Sequence, residues 1–194
     1  MTDKPSPPWL SASLAALEAG AVVACPTETL IGLLADAFSH RAVQRVVSLK
    51  RRGPDPIALL LPSIEALASV AETVPEAAEE LARRYWPGPL TIVVPARSGL
   101  PSALAPNGTI GVRVPGESPA LTLVSAFGRP LTATSCNHSG SPPAKTSEEA
   151  HALFGDELAV VVPGSSPGGP PSTVVDATGP ELRILRAGAV SLSV

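Results

Sequence analysis

Aromatic residues are scarce in this chain of 194 residues: Phe, Trp and Tyr together make up 3% of it, although 44% of the residues are hydrophobic. The core must therefore consist of Ala, Val, Leu and Ile, which is typical of strands buried on both faces, as in parallel or mixed α/β sheets. The length fits one domain with a sizeable core.

The chain also has a small net charge, few cysteines and no long apolar runs. A net charge of −3 and a pI near 5.6 argue against a general surface for polyanions, although they leave room for a local basic pocket. The two cysteines, Cys25 and Cys136, lack CxxC or metal-site spacing, which favours reduced thiols in the cytoplasm. No signal-type segment and no run long enough for a bilayer is present. We expect a cytoplasmic protein that does not associate with membranes.

Several common nucleotide and catalytic motifs are absent from the sequence. There is no GxxxxGK[ST] loop, and no GxGxxG follows a predicted strand. HExxH, GxSxG and metal-spaced His/Cys sets are missing too. A nucleotide would therefore have to be bound in another way.

The alternation of apolar runs and helical periods predicts one α/β sheet covered by helices. We expect a flexible segment at residues 1–10 and one domain at residues 11–190. The predicted strands cover residues 21–25, 57–61, 90–94, 109–114, 131–134, 158–162, 174–176 and 182–185. The predicted helices cover residues 11–19 (N-cap Ser11 or Ser13), 39–50 (N-cap Ser39), 63–71, 75–85, 119–127 and 147–154. Residues 26–36 have no clean period, and residues 163–171 form a Pro/Gly/Ser loop.

Lys50 and Arg52 stand at the end of a predicted helix, and two interpretations of them are open. Cations at a helix C-terminus complement the helix dipole, which would give them a purely structural role. Alternatively, a Lys point charge and an Arg fork could bind one phosphate group together. The rigid turn at residues 53–56 would then hold them at the mouth of a pocket.

Polar side chains also follow two predicted strands. Ser135 and Asn137 lie in a hydroxyl- and amide-rich segment at the carboxyl end of a strand, where α/β sheets tend to bind ligands. An ordinary turn is the alternative. Glu28 follows another strand, as a candidate general base or a solvated carboxylate. Arg113 is a charge inside an apolar strand, so we expect a carboxylate partner from the protein or from a ligand.

Seven short motifs occur in a characteristic order. They are Pro26-Thr27-Glu28-Thr29-x-x-Gly32-Leu33-x-Ala35-Asp36, Lys50-x-Arg52, Trp86-Pro87-Gly88-Pro89-Leu90-Thr91, Arg113-x-Pro115, Ser135-x-Asn137-x-Ser139-Gly140, Ser172-Thr173-Val174-x-Asp176 and Arg186-x-Gly188. Together they resemble the YrdC/TsaC family of threonylcarbamoyl-AMP synthases. The resemblance implies a single-domain, twisted, open mixed sheet flanked by helices, with a deep basic cleft.

The resemblance implies a reaction in which L-threonine, bicarbonate and ATP give threonylcarbamoyl-adenylate and pyrophosphate. The product feeds the threonylcarbamoyl modification of adenosine in certain tRNAs, so downstream tRNA-modifying proteins are expected partners, with weak RNA binding as a further expectation. Mg²⁺ is expected on the ATP phosphates, held largely by substrate oxygens and water.

The resemblance also implies roles for individual residues. Lys50, Arg52, Ser135 and Asn137 match the family's catalytic tetrad, whose two cations would neutralise the ATP phosphates. The expected nucleotide contacts are Lys50, Arg52, Thr109, Asn137 and Arg186, and the expected threonine contacts are Thr29, Arg113, Ser135 and Ser172. The loop at residues 163–171 would close over the water-labile carbamate as a lid.

Three positions depart from the family pattern. Ile31 stands where the family usually has Tyr, Leu34 where it has Gly, and Gly53 where it has Pro. Ile31 and Leu34 suggest one alternative, a paralogue of the same fold with a different acyl or carbamoyl acceptor. A second alternative is an RNA-binding or ribosome-assembly module, which the acidic net charge and scarce aromatics argue against. A third, a purely structural α/β protein, would leave Arg113 and the series of motifs unexplained.

Overall fold

The computed structural model describes residues 6–53 and 55–192. In these residues five α-helices form: α1 (Pro8–Glu18), α2 (His40–Lys50), α3 (Glu76–Tyr85), α4 (Pro119–Phe127) and α5 (Ser147–Phe154). The strands are β1 (Val23–Pro26), β2 (Ile31–Leu34), β3 (Ala58–Leu60), β4 (Leu90–Pro95), β5 (Thr109–Arg113), β6 (Leu131–Ser135), β7 (Val160–Val161), β8 (Thr173–Asp176) and β9 (Arg183–Arg186). Two short 3-10 helices cover Glu65–Ser69 and Gly155–Glu157. Among the described helices, none is long and apolar enough to cross a membrane.

The strands of the described residues join into one mixed sheet of nine, in the order β7-β1-β2-β6-β3-β5-β4-β8-β9. The pairs β1–β7, β3–β5 and β4–β8 are parallel, and the remaining pairs are antiparallel. The sheet is open, with β7 and β9 at its two edges. The predicted α/β fold with one open mixed sheet is confirmed.

The helices cover the two faces of this sheet unequally. On one face, α2, α3 and α5 pack in the larger core cluster, to which Val46, Leu81 and Phe154 contribute. On the other face, α1 and α4 form a smaller cluster around Leu17 and Leu123. This second cluster covers one end of the sheet, so the face of the central strands beyond it is left open for a cleft.

Strand β2 forms where no strand is predicted. Thr27 closes a tight turn after β1: its Oγ1 accepts hydrogen bonds from Thr29 N and Leu30 N, both at 3.1 Å, and donates one to Leu30 O at 2.6 Å. The turn reverses the chain so that β2 pairs with β1. All four residues of β2 are buried, so its sequence shows no alternation of polar and apolar residues.

Other elements differ from the prediction in their bounds. Helix α1 begins at Pro8 rather than Ser11, because proline suits the first helical position, where no N–H is needed. Neither Ser11 nor Ser13 is therefore its N-cap, and the part of the flexible segment expected at residues 8–10 is helical; residues 1–5 lie outside the described residues. The helix expected at residues 63–71 is the short 3-10 helix Glu65–Ser69, and β7 keeps two of the five residues expected to form it.

The segment after β9 fixes the start of β8. Ala189 N donates to Pro171 O at 2.9 Å, and Thr173 Oγ1 donates to Val190 O at 2.6 Å. Gly188 passes so close to this backbone that a Cβ atom would overlap Pro171 O and lie 2.6 Å from Thr173 N. Glycine is therefore required at position 188 for the two segments to pack together.

We predict that Gly188→Ala destabilises the fold by about 1–3 kcal/mol, because the atoms in the way belong to the backbone and cannot turn aside. Urea unfolding measures the change. The matched control is Gly179→Ala, since a Cβ there meets no atom within 4 Å, and the free energy of unfolding should change by less than about 0.5 kcal/mol. Equal stability of the two variants would contradict this packing.

Candidate functional site

A cleft of about 510 Å³ opens on the uncovered face of the sheet. Its floor is made of small residues in register: Ala133 on β6 lies opposite Ala58 on β3, and Gly111 follows on β5. A Cβ on Gly111 would lie 3.2 Å from Thr91 Cγ2 and 3.4 Å from Ala58 Cβ. The small side chains leave a depression that larger ones would fill. Among the described residues that line the cleft, four are arginines and one is an aspartate.

Arg113, at the end of β5, lies at one end of the cleft and has a partner from the protein. Its Nη1 donates to Glu28 Oε1 at 2.8 Å and, more weakly, to Thr29 Oγ1 at 3.4 Å. Burial lowers the pKa of Arg113, the Glu28 carboxylate raises it, and the nearby charge of Arg186 lowers it. Nε and Nη2 of Arg113 make no hydrogen bond within the described residues, so they remain available to a ligand.

Ser172 extends the same end of the cleft. Its hydroxyl lies 2.9 Å from Thr91 Oγ1. Arg186, on the edge strand β9, donates to Ser172 O at 2.8 Å and to Ser172 Oγ at 3.1 Å. The bond to Ser172 O runs across the β8–β9 pair and brings the guanidinium to the cleft wall. This end therefore presents two arginines and three hydroxyl side chains.

Arg52 lies at the opposite side of the cleft mouth, two residues beyond α2. Its Nε and Nη2 donate to Asp55 O at 2.9 Å and Pro56 O at 2.7 Å, while Nη1 lies 3.5 Å from Thr134 Oγ1. Burial lowers its pKa, and the exposed Asp55 carboxylate raises it. Arg52 makes no ion pair within 4.0 Å with any described carboxylate, so its charge is only partly compensated.

Lys50 lies behind this wall and not in it. Its side chain is 2% exposed, and Nζ donates to Ser135 O at 2.5 Å, Asn137 O at 3.1 Å and Asn137 Oδ1 at 2.9 Å. Three acceptors use all three ammonium hydrogens. Ser135 Oγ in turn donates to Asn137 Oδ1 at 2.6 Å. Lys50 therefore fixes the turn after β6 from inside the protein.

The structure brings most of the predicted site residues to one cleft. Seven of the nine line it: Thr29, Arg52, Thr109, Arg113, Ser135, Ser172 and Arg186. Lys50 and Asn137 are buried directly behind Ser135. Of these two cations, only Arg52 faces the cleft, where it could bind a phosphate group. Lys50 faces the turn after β6.

Several lining residues were not predicted as site residues. Thr91, Asn107, Asp176 and Arg183 belong to this group. The period of two along β4 could have indicated Thr91, since it shares a face with the cleft-lining Val93. Asp176 and Arg183 pair with each other across β8 and β9 at 3.0 Å. Of the departures from the family pattern, Ile31 and Leu34 both line the cleft, and Ile31 also packs with Leu33 in the larger core cluster.

The loop at residues 163–171 is partly tied to the start of α5. Ser147 N donates to Gly164 O at 2.9 Å, and Ser166 N donates to Lys145 O at 3.1 Å. Residues 167–170 make no backbone hydrogen bond to any described residue. Pro171 at the end of the loop lines the cleft. The lid at residues 163–171 remains a prediction, and residues 167–170 are the part of it without backbone hydrogen bonds among the described residues.

Metal and thiol chemistry find little support among the residues that the structure describes. They contain no group of three or more His, Cys, Asp or Glu side chains arranged to hold a metal ion. Cys25 and Cys136 are free and buried, and burial raises the pKa of Cys136 to about 12. A thiol with such a pKa is a poor nucleophile at neutral pH.

Comparison with known proteins accounts for the arrangement. A model of the Sua5, YciO and YrdC family, described as "Telomere recombination", matches residues 15–188. The chain belongs to this family. The threonylcarbamoyl-AMP synthase of Marinobacter nauticus is 34% identical over 190 residues, which cover 94% of this chain and 100% of that protein. The resemblance drawn from the seven motifs is confirmed.

Solved structures of the Sua5/YciO/YrdC family share the fold. Sua5 of Pyrococcus abyssi, crystallised with L-threonine, matches 92% of this chain with a TM-score of 0.88 and 35% identity. The match covers 54% of the Pyrococcus chain, so this chain spans about half of it. Escherichia coli YciO has a TM-score of 0.86 at 24% identity over 97% of this chain and 93% of its own, which bears on the fold alone.

We predict that Lys50 makes stability rise with pH. Burial, and then the charge of Arg52, lowers its pKa from 10.5 to about 8 in the folded protein. Between these values the unfolded chain holds the proton and the folded chain does not, so the free energy of unfolding increases as pH rises through this window. Urea unfolding at about pH 7.5 and about pH 9.5 measures the increase.

The control for this prediction is Lys50→Met, which removes the titrating group and keeps an unbranched side chain. The increase in stability across the window should be smaller in the variant than in the unsubstituted protein. The same pH dependence in both proteins would contradict the prediction.

Proposed function

We propose that this protein is an L-threonylcarbamoyladenylate synthase that acts on L-threonine, bicarbonate and ATP. The observation that carries the proposal is the cleft of this family member, with Arg113 and hydroxyls at one end and Arg52 at the other. Such a cleft suits a carboxylate at one end and a polyphosphate at the other. The named synthase from Marinobacter nauticus is similar along its whole length, which supports the proposal.

In this proposal the amino acid binds at the Arg113 end. The free Nε and Nη2 of Arg113 bind its carboxylate, and the hydroxyls of Thr29 and Ser172 bind its polar groups. The Pyrococcus protein crystallised with L-threonine supports this choice of amino acid. Ser135 faces the cleft from β6 and completes the amino-acid site where it meets the nucleotide.

The ATP phosphates lie at the Arg52 end in this proposal. Arg52 neutralises the charge that builds up as pyrophosphate leaves, which is the main protein contribution in phosphoryl and nucleotidyl transfer. Thr109 lines the cleft and contacts the nucleotide, and Arg186 contacts the nucleotide from the amino-acid end, away from the phosphates. Lys50 and Asn137 act from behind, because they hold Ser135 in place and add a buried positive charge.

Mg²⁺ fits this site as an ion carried by the ATP phosphates. Asp176 lines the cleft, but its oxygens are engaged by Arg183 at 3.0 Å and by the Thr178 hydroxyl at 2.7 Å. The described residues thus offer no protein cage, and phosphate oxygens and water would supply the ligands. When bound, the ion would offset negative charge on the phosphates.

The reaction then needs positioning more than covalent help from the protein. The threonine amine, without its proton, attacks the bicarbonate carbon, and water leaves to give a carbamate. A carbamate oxygen attacks the α-phosphorus, and pyrophosphate leaves with the electrons of the broken P–O bond. The buried thiols are not suited to a covalent intermediate. The product would serve the proteins that complete the tRNA modification.

One observation favours a second candidate within the family. Ile31 and Leu34 both line the cleft, at positions where the family pattern has tyrosine and glycine, and Leu34 occupies space that a glycine would leave empty. If threonine needs that space to bind, the protein would use a different acceptor in place of threonine. An amino-acid panel decides between the two candidates.

The first test is the release of pyrophosphate from ATP. We expect release that depends on both L-threonine and bicarbonate and that falls at least about ten-fold with other amino acids, which corresponds to about 1.4 kcal/mol of discrimination. No release above background would refute the proposal. A preference for another amino acid would favour the second candidate.

Arg52→Ala should lower this activity at least about 100-fold, since a charge that stabilises the transition state is lost. The free energy of unfolding should change by no more than about 1 kcal/mol, because the side chain is near solvent. The matched control is Arg83→Ala, whose side chain is 66% exposed and lies far along the sequence on α3. Equal activity of the two variants would contradict the assignment of Arg52.

A further inference from the structure

Glu28 is a charged residue beside the cleft that the proposed mechanism leaves unused. It lies in the turn between β1 and β2, and its side chain is 15% exposed. Its Oε1 accepts the hydrogen bond from Arg113 Nη1 at 2.8 Å, whereas its buried Oε2 receives none from the described residues. The pair is therefore joined through one oxygen and one nitrogen.

The surroundings of Glu28 hold it beside Arg113. The turn is closed by Thr27, whose hydroxyl bonds to Thr29 N and Leu30 N at 3.1 Å. On the other side Gly116 leaves the space that the side chain occupies, because a Cβ on Gly116 would lie 3.0 Å from Glu28 Cγ. A single-point contact from this position compensates Arg113 and leaves its other nitrogens free, which a two-pronged pair would not.

The two ends of the cleft consequently differ in charge. At the amino-acid end, Arg113 and Arg186 are offset by Glu28, which leaves one positive charge. At the phosphate end, Arg52 and the buried Lys50 have no ion pair within 4.0 Å among the described residues, and only the exposed Asp55 lies near. A site with one net positive charge suits one carboxylate, and a site with more suits a polyphosphate.

We propose that Glu28 is the specificity-determining residue that keeps phosphate groups out of the amino-acid end of the cleft. The inference rests on the proposed function, since both substrates share one cleft. Without the Glu28 charge, two unmasked arginines, Arg113 and Arg186, would meet at the amino-acid end and attract an oligophosphate. Specificity here comes from a repulsive element beside an attractive one.

Isothermal titration with pyrophosphate tests the proposal on the full chain. The unsubstituted protein should bind one pyrophosphate, at the Arg52 end, and Glu28→Gln should bind two. The double variant Glu28→Gln/Arg113→Gln should again bind one pyrophosphate, because it lacks the guanidinium that would bind the second one. Glu28→Asp keeps the charge and should bind one. The matched control is the exposed Glu117→Gln, which has the same net charge as Glu28→Gln and should also bind one.

Competition with L-threonine completes the test. Saturating pyrophosphate should raise the apparent Kd for L-threonine at least about five-fold in Glu28→Gln and less than about two-fold in the unsubstituted protein. One pyrophosphate site in a folded Glu28→Gln would overturn the proposal, as would competition in the unsubstituted protein, which is measurable even if the variant does not fold. Two pyrophosphate sites without threonine binding would overturn the proposed function, but they would support the effect of the Glu28 charge on phosphate binding at Arg113.

Discussion

The register of the central strands is the constraint on which the rest of this structure depends. It aligns Ala133, Ala58 and Gly111 across β6, β3 and β5 on a face that none of the described helices covers. Polar residues at the ends of the same strands, Ser135 and Arg113, then fall on opposite sides of the depression. A shift of one residue in any of these strands would turn its cleft residues into the core. The sheet therefore fixes both the shape of the cleft and the separation of its two polar ends.

Two buried cations near the cleft are stabilised in different ways. Lys50 is surrounded by the neutral oxygens of Ser135 and Asn137, and no carboxylate among the described residues forms an ion pair with it. Arg113 has a carboxylate partner in Glu28. Removing one partner from a buried pair leaves an uncompensated charge, which is costly. The difference between a compensated and an uncompensated cation is a simple physical basis for binding two anions of unlike charge in one cleft.

Much of the fold could be predicted from the sequence, because apolar runs and caps are local signals. The cap at Ser39 is an example, since its hydroxyl accepts from Ala42 N as expected. Strand β2 could not be predicted, because a strand buried on both faces has no alternation and its turn depends on the Thr27 hydroxyl. The direction in which the Lys50 side chain points could not be predicted either, because its partners Ser135 and Asn137 are 85 and 87 residues away in the sequence. The motif order located the cleft, but the pairing of Glu28 with Arg113 needed the structure.

The most direct test of this account is a crystal structure with L-threonine and a non-hydrolysable ATP analogue bound together. We predict that the threonine carboxylate lies within hydrogen-bond distance of Arg113 and the terminal phosphates lie beside Arg52, with Lys50 still bonded to Ser135 O. Phosphate oxygens on Arg113, or a threonine carboxylate on Arg52, would contradict it.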